Sequence, residues 1–545
     1  MSSEAPAQKG HWFAFNSECD ACNEYGTFFD ERGVTQWLGE RASFQVGRTG
    51  GDFFVKKIAN TTYNEISRLT SETGELAIMK MAPKVFEWSA YADRLEDCIM
   101  SEAATMEFGL DGLKLPFPEL MLWGTKGGVA TEGTYKEELL APDGRSAIYS
   151  DNDSDGNPVP LRTCIFMKES EGTQLSKICH DALDLKSKAK VASEIMGFEK
   201  KLGSLWFQWH GSLYRESFDD RLDDRIDKRL AKKVQPMQAT SEAHDEALKY
   251  TDRYSEWTRK LYIGPSQEFR LWEGEREHMV DHRGPWTSAT DYVKALLGCE
   301  IDWAKNAGEK QGEAGQETKK LQSPPEVYFE LLQKASAIVP HIMPRKERTT
   351  ASRLLHRCLR PEDIFVDEEF RIKTVIGWRG SWVGPAFAGH APTAYEIGGH
   401  DMLNQPKEFL AQLKSAVSEE EFDRFSKQLL ARSRKHKELT NSPISSLIHV
   451  AIKIEEFGLL PLREFLIQVQ RTWGHFDTQG VNSEDPCPYH FTDAEMREHA
   501  EEVEGLEKEG KEEVKQACLE AKRWVAPMEE RYSNRYRARS GSEDD

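Results

Sequence analysis

No stretch of this 545-residue chain approaches the ~18 consecutive apolar residues of a membrane-spanning helix, which excludes insertion by that route. Positive charge is short as well: 72 lysines and arginines face 92 acidic residues, for a formal net charge of -20. A surface of that sign repels nucleic-acid phosphates and anionic bilayers, so neither is an expected partner. The first thirty residues place Glu4, Glu18, Asp20, Glu24 and Asp30 against Lys9 alone. An Arg-rich, acid-poor transit peptide and an apolar signal core are both lacking there, and the expected location is cytoplasmic. The nine cysteines are odd in number and scattered, a pattern of reduced thiols.

Metal motifs are incomplete too. Cys19 and Cys22 have zinc-knuckle spacing, but only His11 is near and a second pair is missing. Asp151 to Gly156 starts like a calcium loop; the twelfth position is Arg162, and Pro158 and Pro160 interrupt the second half, so an acidic surface turn is expected.

What is present suits a large folded body. Hydrophobic residues make up 39% of the chain at a mean hydropathy of -0.64, enough for a core in two lobes. Val191, Ile195, Phe198, Leu202 and Leu205 recur at helical spacing and predict a buried stripe. Glu216 to Arg253 is dominated by charge and reads as an inserted or extended helical excursion, and Lys305 to Gln322 as a solvated loop. Thr492-Asp-Ala-Glu495 is a capping box that opens a helix running toward Trp524. No internal repeat is visible.

Chemistry concentrates between Leu354 and Trp378, LLHRCLRPEDIFVDEEFRIKTVIGW. Ile364 to Val366 and Ile372 to Ile376 flank the turn Asp367-Glu368-Glu369-Phe370, the pattern of a β-hairpin. The segment resembles the catalytic segment of the aminoglycoside phosphotransferase branch of the protein-kinase-like fold, which runs H-x-D-L-H-x-x-N-I-x-V-D, a hairpin, then I-D-W. His356, Leu359, Ile364, Val366, Asp367, Ile376 and Trp378 match. The family's catalytic aspartate falls on Cys358, its second histidine on Arg360, its metal-binding asparagine on Asp363 and its metal-binding aspartate on Gly377.

Phosphoryl transfer needs a carboxylate to take the acceptor hydroxyl's proton and oxygen ligands to hold magnesium against the nucleotide. A thiol is a soft, poor magnesium ligand and a weak base at neutral pH, and Gly377 offers no side chain. Losing general-base help alone typically costs about 10²- to 10⁴-fold. Asp363 is the one metal ligand the segment retains.

Further matches run in order along roughly residues 45 to 525. Lys260 to Ser266, Trp272 to Arg276 and Asp281 to Trp286, with Tyr292 following, resemble a run of fungal members similar to the altered inheritance of mitochondria protein 9 group. Ser101 to Phe108 and Leu115 to Glu119 resemble the family's αC helix and the Pro-rich approach to the next strand, and Glu75 to Met81 its third strand. Lys80 then takes the phosphate-facing position and Glu102 its ion-pair partner. Ile165 to Glu169, ahead of Gly172, resembles the hinge between lobes, so Met167 and Glu169 are the remaining nucleotide-contact candidates. Where the family has a glycine turn over the phosphates, Ile58 to Asn64 carries Thr61 and Thr62, whose branched Cβ atoms stiffen and crowd the turn.

The resemblance implies an α+β, two-lobed fold: an extension over 1–45, a small β-rich lobe over 46–170, a large helical lobe over 171–525 with the degraded loop at 354–378, and a polar tail over 526–545. It implies a catalytically impaired phosphotransferase relative acting as a binding or scaffold protein, with weak ATP binding at most, little use for magnesium, and a protein or small molecule as partner. The alternative is an active small-molecule kinase with a displaced carboxylate at Asp363, Glu362 or Asp367. The family's mitochondrial name leaves that compartment open by resemblance alone.

Overall fold

The computed structural model describes most of residues 53–522, with gaps of which the longest are 82–90, 137–148, 216–231, 238–260, 311–322 and 474–485. The zinc-knuckle cysteines, Thr62 and the tail after 525 lie outside the described residues. The described residues form two compact units, one from 53–110 and 117–170, the other from 111–116, 171–215 and 232–522.

The first unit is built on an antiparallel sheet. Its strands are β1 (Phe53–Thr61), β2 (Asn64–Ser71), β3 (Leu76–Met81), β4 (Leu120–Thr125), β5 (Gly128–Thr131) and β6 (Thr134–Lys136). A separate hairpin joins β7 (Tyr149–Asn152) to β8 (Pro158–Pro160), so Pro158 and Pro160 belong to a strand. β9 (Cys164–Lys168) then enters the main sheet, whose order is β1-β2-β3-β9-β4-β5-β6. Helix α1 (Tyr91–Glu107) lies in sequence between β3 and β4. Its second half, Cys98 to Met106, is buried all round.

The second unit is mainly helical. Helix α2 (Leu185–Leu202) starts on Asp184, whose side chain accepts from the Ser187 amide at 2.6 Å. Its stripe of Val191, Ile195, Phe198 and Leu202 is buried as the spacing predicts, and Leu205 is buried just past the helix end. A hydrophobic core gathers the helices Ala289–Lys310, Pro325–Ile342, Pro443–Ile452 and Leu460–Arg471 around Tyr292, Leu332, Leu447 and Phe465. A sheet-rich unit with a helix between its third and fourth strands, and a mainly helical unit carrying the 354–378 segment, make the α+β architecture that the resemblance implied.

Three expectations need correction. Lys305 to Lys310 are helical, not loop: they extend Ala289–Lys310, because Lys, Glu and Ala are good helix formers and Trp303 and Ala304 anchor the preceding turn in the core. Within the supposed helical excursion, Lys232–Lys233 and Pro236–Met237 are strands. They find ladder partners in Leu261–Gly264 and Trp206–Phe207, and this tertiary pairing overrides local charge patterning. The capping-box helix, Asp493–Lys508, stops short of Trp524 because Gly510 takes φ +72, and a second helical stretch occupies 512–522.

Candidate functional site

In the first unit, alternation along β3 decides where Lys80 points. Lys80 faces Ile66 of β2 and Ile165 of β9 across the ladders, so these side chains share one face of the sheet. Its Nζ lies 2.5 Å from Oε1 of Glu102 on α1, an ion pair whose side chains are 12% and 1% exposed. The second Glu102 oxygen, Oε2, and the Thr105 hydroxyl one helical turn on are buried without a hydrogen-bond partner among the described residues. Sequence reading missed Thr105, which only its burial singles out. Met167 is buried on β9, and the Glu169 carboxylate meets Arg68 of β2 at 2.5 Å. Thr61 ends β1 opposite Asn64.

In the second unit, two ladders bring the degraded loop together. Strand Ser352–Leu355 pairs antiparallel with Trp382–Pro385, and Ile364–Val366 with Ile372–Val375. Residues 356–363 and 376–381 therefore run side by side, bracketed by Leu355 opposite Trp382 and by Ile364 opposite Val375. The His356 Nε2–H donates to the Ile376 carbonyl at 2.9 Å, and its ring stands edge-on to Trp378 at 4.6 Å. Burial lowers the His356 pKa, so the ring is neutral and holds the loop rather than carrying charge.

Asp363 is buried within this frame. Its Oδ2 accepts from the Arg360 amide at 3.1 Å, and the Arg360 Nε stands 3.5 Å away. Desolvation nevertheless raises the Asp363 pKa, against the lowering pull of the Arg360 charge and amide. A Cβ on Gly377 would stand 2.9 Å from Asp363 Oδ1, and the Gly377 φ of +88 is one that side-chain-bearing residues rarely adopt. Cys358 is half-buried with a free thiol, and desolvation raises its pKa above the ordinary thiol value, so at neutral pH it is protonated.

The other carboxylates of the loop differ in commitment. Asp367 is tied into the hairpin turn: Oδ1 accepts from the amides of Glu369 at 3.0 Å and Arg371 at 2.9 Å, and Oδ2 from the Arg371 Nε at 2.9 Å. Glu362 contributes its backbone carbonyl to the Gln174 side chain at 2.6 Å. As a donor set for magnesium, one carboxylate already bonded to Arg360 and drawn toward protonation does not fit the several hard oxygen ligands that the ion takes.

Gln267 and Phe269, within the run that ends at Trp286, brace this loop, a role their sequence did not disclose. The Arg357 guanidinium lies over the Phe269 ring at 4.9 Å, and a Cβ on Gly380 would be 3.5 Å from both Arg357 Cδ and the Gln267 carbonyl. Arg270 forms a buried ion pair with Glu268 and donates to the Ala388 carbonyl at 3.0 Å. Arg276 joins Glu300 at 2.6 Å and Glu455 at 2.9 Å, with its guanidinium over Trp303 at 5.0 Å. Lys80, Glu102, Arg68 and Glu169 thus belong to one unit, and His356, Cys358, Asp363 and Gly377 to the other.

No family model matches the chain. It is similar to two proteins named altered inheritance of mitochondria protein 9, mitochondrial. That of Eremothecium gossypii is 22% identical over 474 residues, covering 81% of this chain and 69% of its own length. That of Candida glabrata is 21% identical over 447 residues, covering 75% and 63%. The chain thus spans about two thirds of the length of these curated relatives. Solved structures similar to it include a thermostable mutant of aminoglycoside phosphotransferase APH(4)-Ia, 10% identical over 89% of this chain and 98% of that one with a TM-score of 0.33. Another is the ADP-bound aminoglycoside phosphotransferase APH(2'')-Ib, 10% identical over 91% and 99% with a TM-score of 0.33.

Proposed function

We propose that this chain, which is similar to the altered inheritance of mitochondria protein 9 proteins, is a phosphotransferase relative that has lost its chemistry and acts by binding. The observation that carries this reading is the pairing of Cys358 and Gly377. A protonated thiol stands where the resemblance puts the base, and a bare glycine where it puts a metal-binding aspartate. The Lys80–Glu102 pair supports a scaffold retained after the chemistry was lost, with weak nucleotide binding at most and a protein or small molecule as the partner.

The test is turnover and nucleotide affinity on the purified full chain, with and without magnesium. The reading expects no phosphoryl transfer to small acceptors and little affinity added by magnesium. Turnover near the ~1 s⁻¹ of working kinases would overturn it.

One observation favours the rival reading of an active small-molecule kinase. The Asp363 carboxylate lies beside the space that a side chain at Gly377 would fill, so it is a displaced carboxylate standing next to the position of the missing aspartate. Under that reading Asp363→Asn abolishes activity. Compartment is a separate matter: the relatives are named mitochondrial, and fractionation of cells making this chain decides between the mitochondrion and the cytoplasm.

A further inference from the structure

A cluster of bases in the second unit lacks matching acids. Arg353, on strand Ser352–Leu355, is only 9% exposed, and its guanidinium lies over the Trp206 ring at 5.3 Å. One nitrogen, NH2, donates to the Arg348 carbonyl at 3.0 Å; the Nε is buried with no acceptor, and the group meets no carboxylate among the described residues. Burial, and after it the charge of Arg348, lowers its pKa. Helix Glu419–Thr440 adds Arg432 and Lys435 to the same neighbourhood.

The acids nearby are already taken. Glu199 binds Arg432 through two hydrogen bonds of 2.7 and 2.9 Å and also accepts from the Tyr395 hydroxyl. Glu438 is shared between Lys346 at 2.5 Å and Arg348 at 3.5 Å. Lys435 is an exposed residue, and desolvation of its ammonium, then the charges of Arg353 and Arg432, brings its pKa down to about 8. A buried guanidinium without a counter-ion is costly to keep, and in a chain of net charge -20 such a local excess of positive charge stands out.

We propose that Arg348, Arg353, Arg432 and Lys435 form a binding site for a phosphoryl dianion, either inorganic phosphate or the phosphate of a small monoester. The Trp206 ring, 5.3 Å from the guanidinium carbon, and the bond to the Arg348 carbonyl hold the Arg353 guanidinium in one orientation before a ligand arrives. A dianion matches an excess that two paired carboxylates leave uncompensated better than a monoanion does. Arg348 and Lys435 are exposed and form the approach, while Arg353 forms the floor. The site does not depend on whether the loop at 356–363 is catalytic.

The experiment uses the full chain at pH 7.5 with inorganic phosphate, glycerol 3-phosphate and, at matched ionic strength, potassium chloride, each up to ~20 mM. Phosphate is expected to raise the melting midpoint by a few degrees above the chloride control and to weaken about tenfold or more in Lys435→Gln. Site-resolved acetylation is expected to show the Lys435 pKa rising by about one unit when phosphate binds. Tighter binding of glycerol 3-phosphate than of phosphate identifies a monoester site, and the reverse a phosphate site. Lys294→Gln, exposed on helix Ala289–Lys310, is expected to leave the phosphate effect intact. Arg353→Gln extends the test if it folds; Lys435→Gln, at the surface, carries it in any case. A phosphate effect no larger than that of chloride, or one unchanged in Lys435→Gln with Lys435 titrating as before, overturns the proposal.

Discussion

Asp363 and Gly377 share one space. The Asp363 Oδ1 lies 2.9 Å from where a Cβ on Gly377 would be, and both positions are held by the Ile376 amide donating to the Asp363 carbonyl at 2.8 Å. A side chain at 377 meets both a crowded carboxylate and a backbone at φ +88. The degraded loop is therefore packed around its glycine.

Restoring the family residues should show that cost. The triple change Cys358→Asp, Asp363→Asn and Gly377→Asp is expected to gain magnesium-dependent nucleotide affinity but to be less stable than the first two changes alone, by about 1–3 kcal/mol. Denaturant titration of both variants measures the difference. Equal stabilities would mean that the loop relaxes freely around residue 377.

Lys80 and Glu102 hold β3 and α1 together from a nearly dry position. Lys80→Met leaves a buried carboxylate without its cation and should cost about 3–5 kcal/mol, whereas Lys80→Met with Glu102→Met should recover part of that loss. Chemical denaturation followed by a probe in the first unit reports both. A single variant as stable as the parent would show that the pair is dispensable, and a double variant as unstable as the single that the loss does not come from the stranded carboxylate.

The Cys358 thiol is held protonated by burial, so its alkylation should be slow at pH 7.5 and accelerate as pH rises above the ordinary thiol range. Peptide mass spectrometry reads this cysteine apart from the others. Rapid labelling at pH 7 would reveal a thiolate and reopen the question of a nucleophile or base here.

Arg276 of the fungal run serves two acids at once, Glu300 and Glu455. Arg276→Met should destabilise the helical unit by about 3–5 kcal/mol. Arg276→Lys should also destabilise it, because a single ammonium cannot reproduce the two parallel hydrogen bonds to Glu300. Thermal unfolding of the two variants tests the claim, and a neutral lysine variant would contradict it.

Burial lowers the His210 pKa from 6.5 to about 4, and Ser352 Oγ lies 2.7 Å from its Nδ1. A depressed folded-state pKa means that the unfolded chain binds the extra proton between about pH 4 and 6.5. The stability from neutral His210 is thus complete above pH 6.5 and falls with acidification, at up to about 1.4 kcal/mol per pH unit. Stability against pH for the parent and for His210→Gln should differ in slope across that window. Parallel curves would mean that His210 is protonated in the fold.

Much of the loop was legible because hairpin physics is local. Apolar alternation on either side of Asp367 to Phe370 gave the two strands, and Asp367 closes the turn with its own side chain. The capping box at Thr492 and the α2 stripe were equally local. The Lys305 to Lys310 stretch was misread because its composition suits both a solvated loop and the exposed end of a helix, and only Trp303 and Ala304 in the core decide between them. The strand pairs at 232–237 depend on partners that are distant in sequence.

By itself, the sequence determined which side chains stand at each position of the loop. A thiol, a glycine and a pair of threonines have fixed side chains wherever the backbone carries them, and no packing turns Cys358 or Gly377 into a carboxylate. The tertiary structure alone decided the states of the groups that are present. Protonation and pairing depend on burial and on neighbours far away along the chain. Asp363 is drawn toward its neutral form by the shelter that two ladders build around it. Among the described residues Arg353 lies without an acid because Glu199 and Glu438 bond elsewhere, a relation among residues as much as 239 positions apart in number, from 199 to 438.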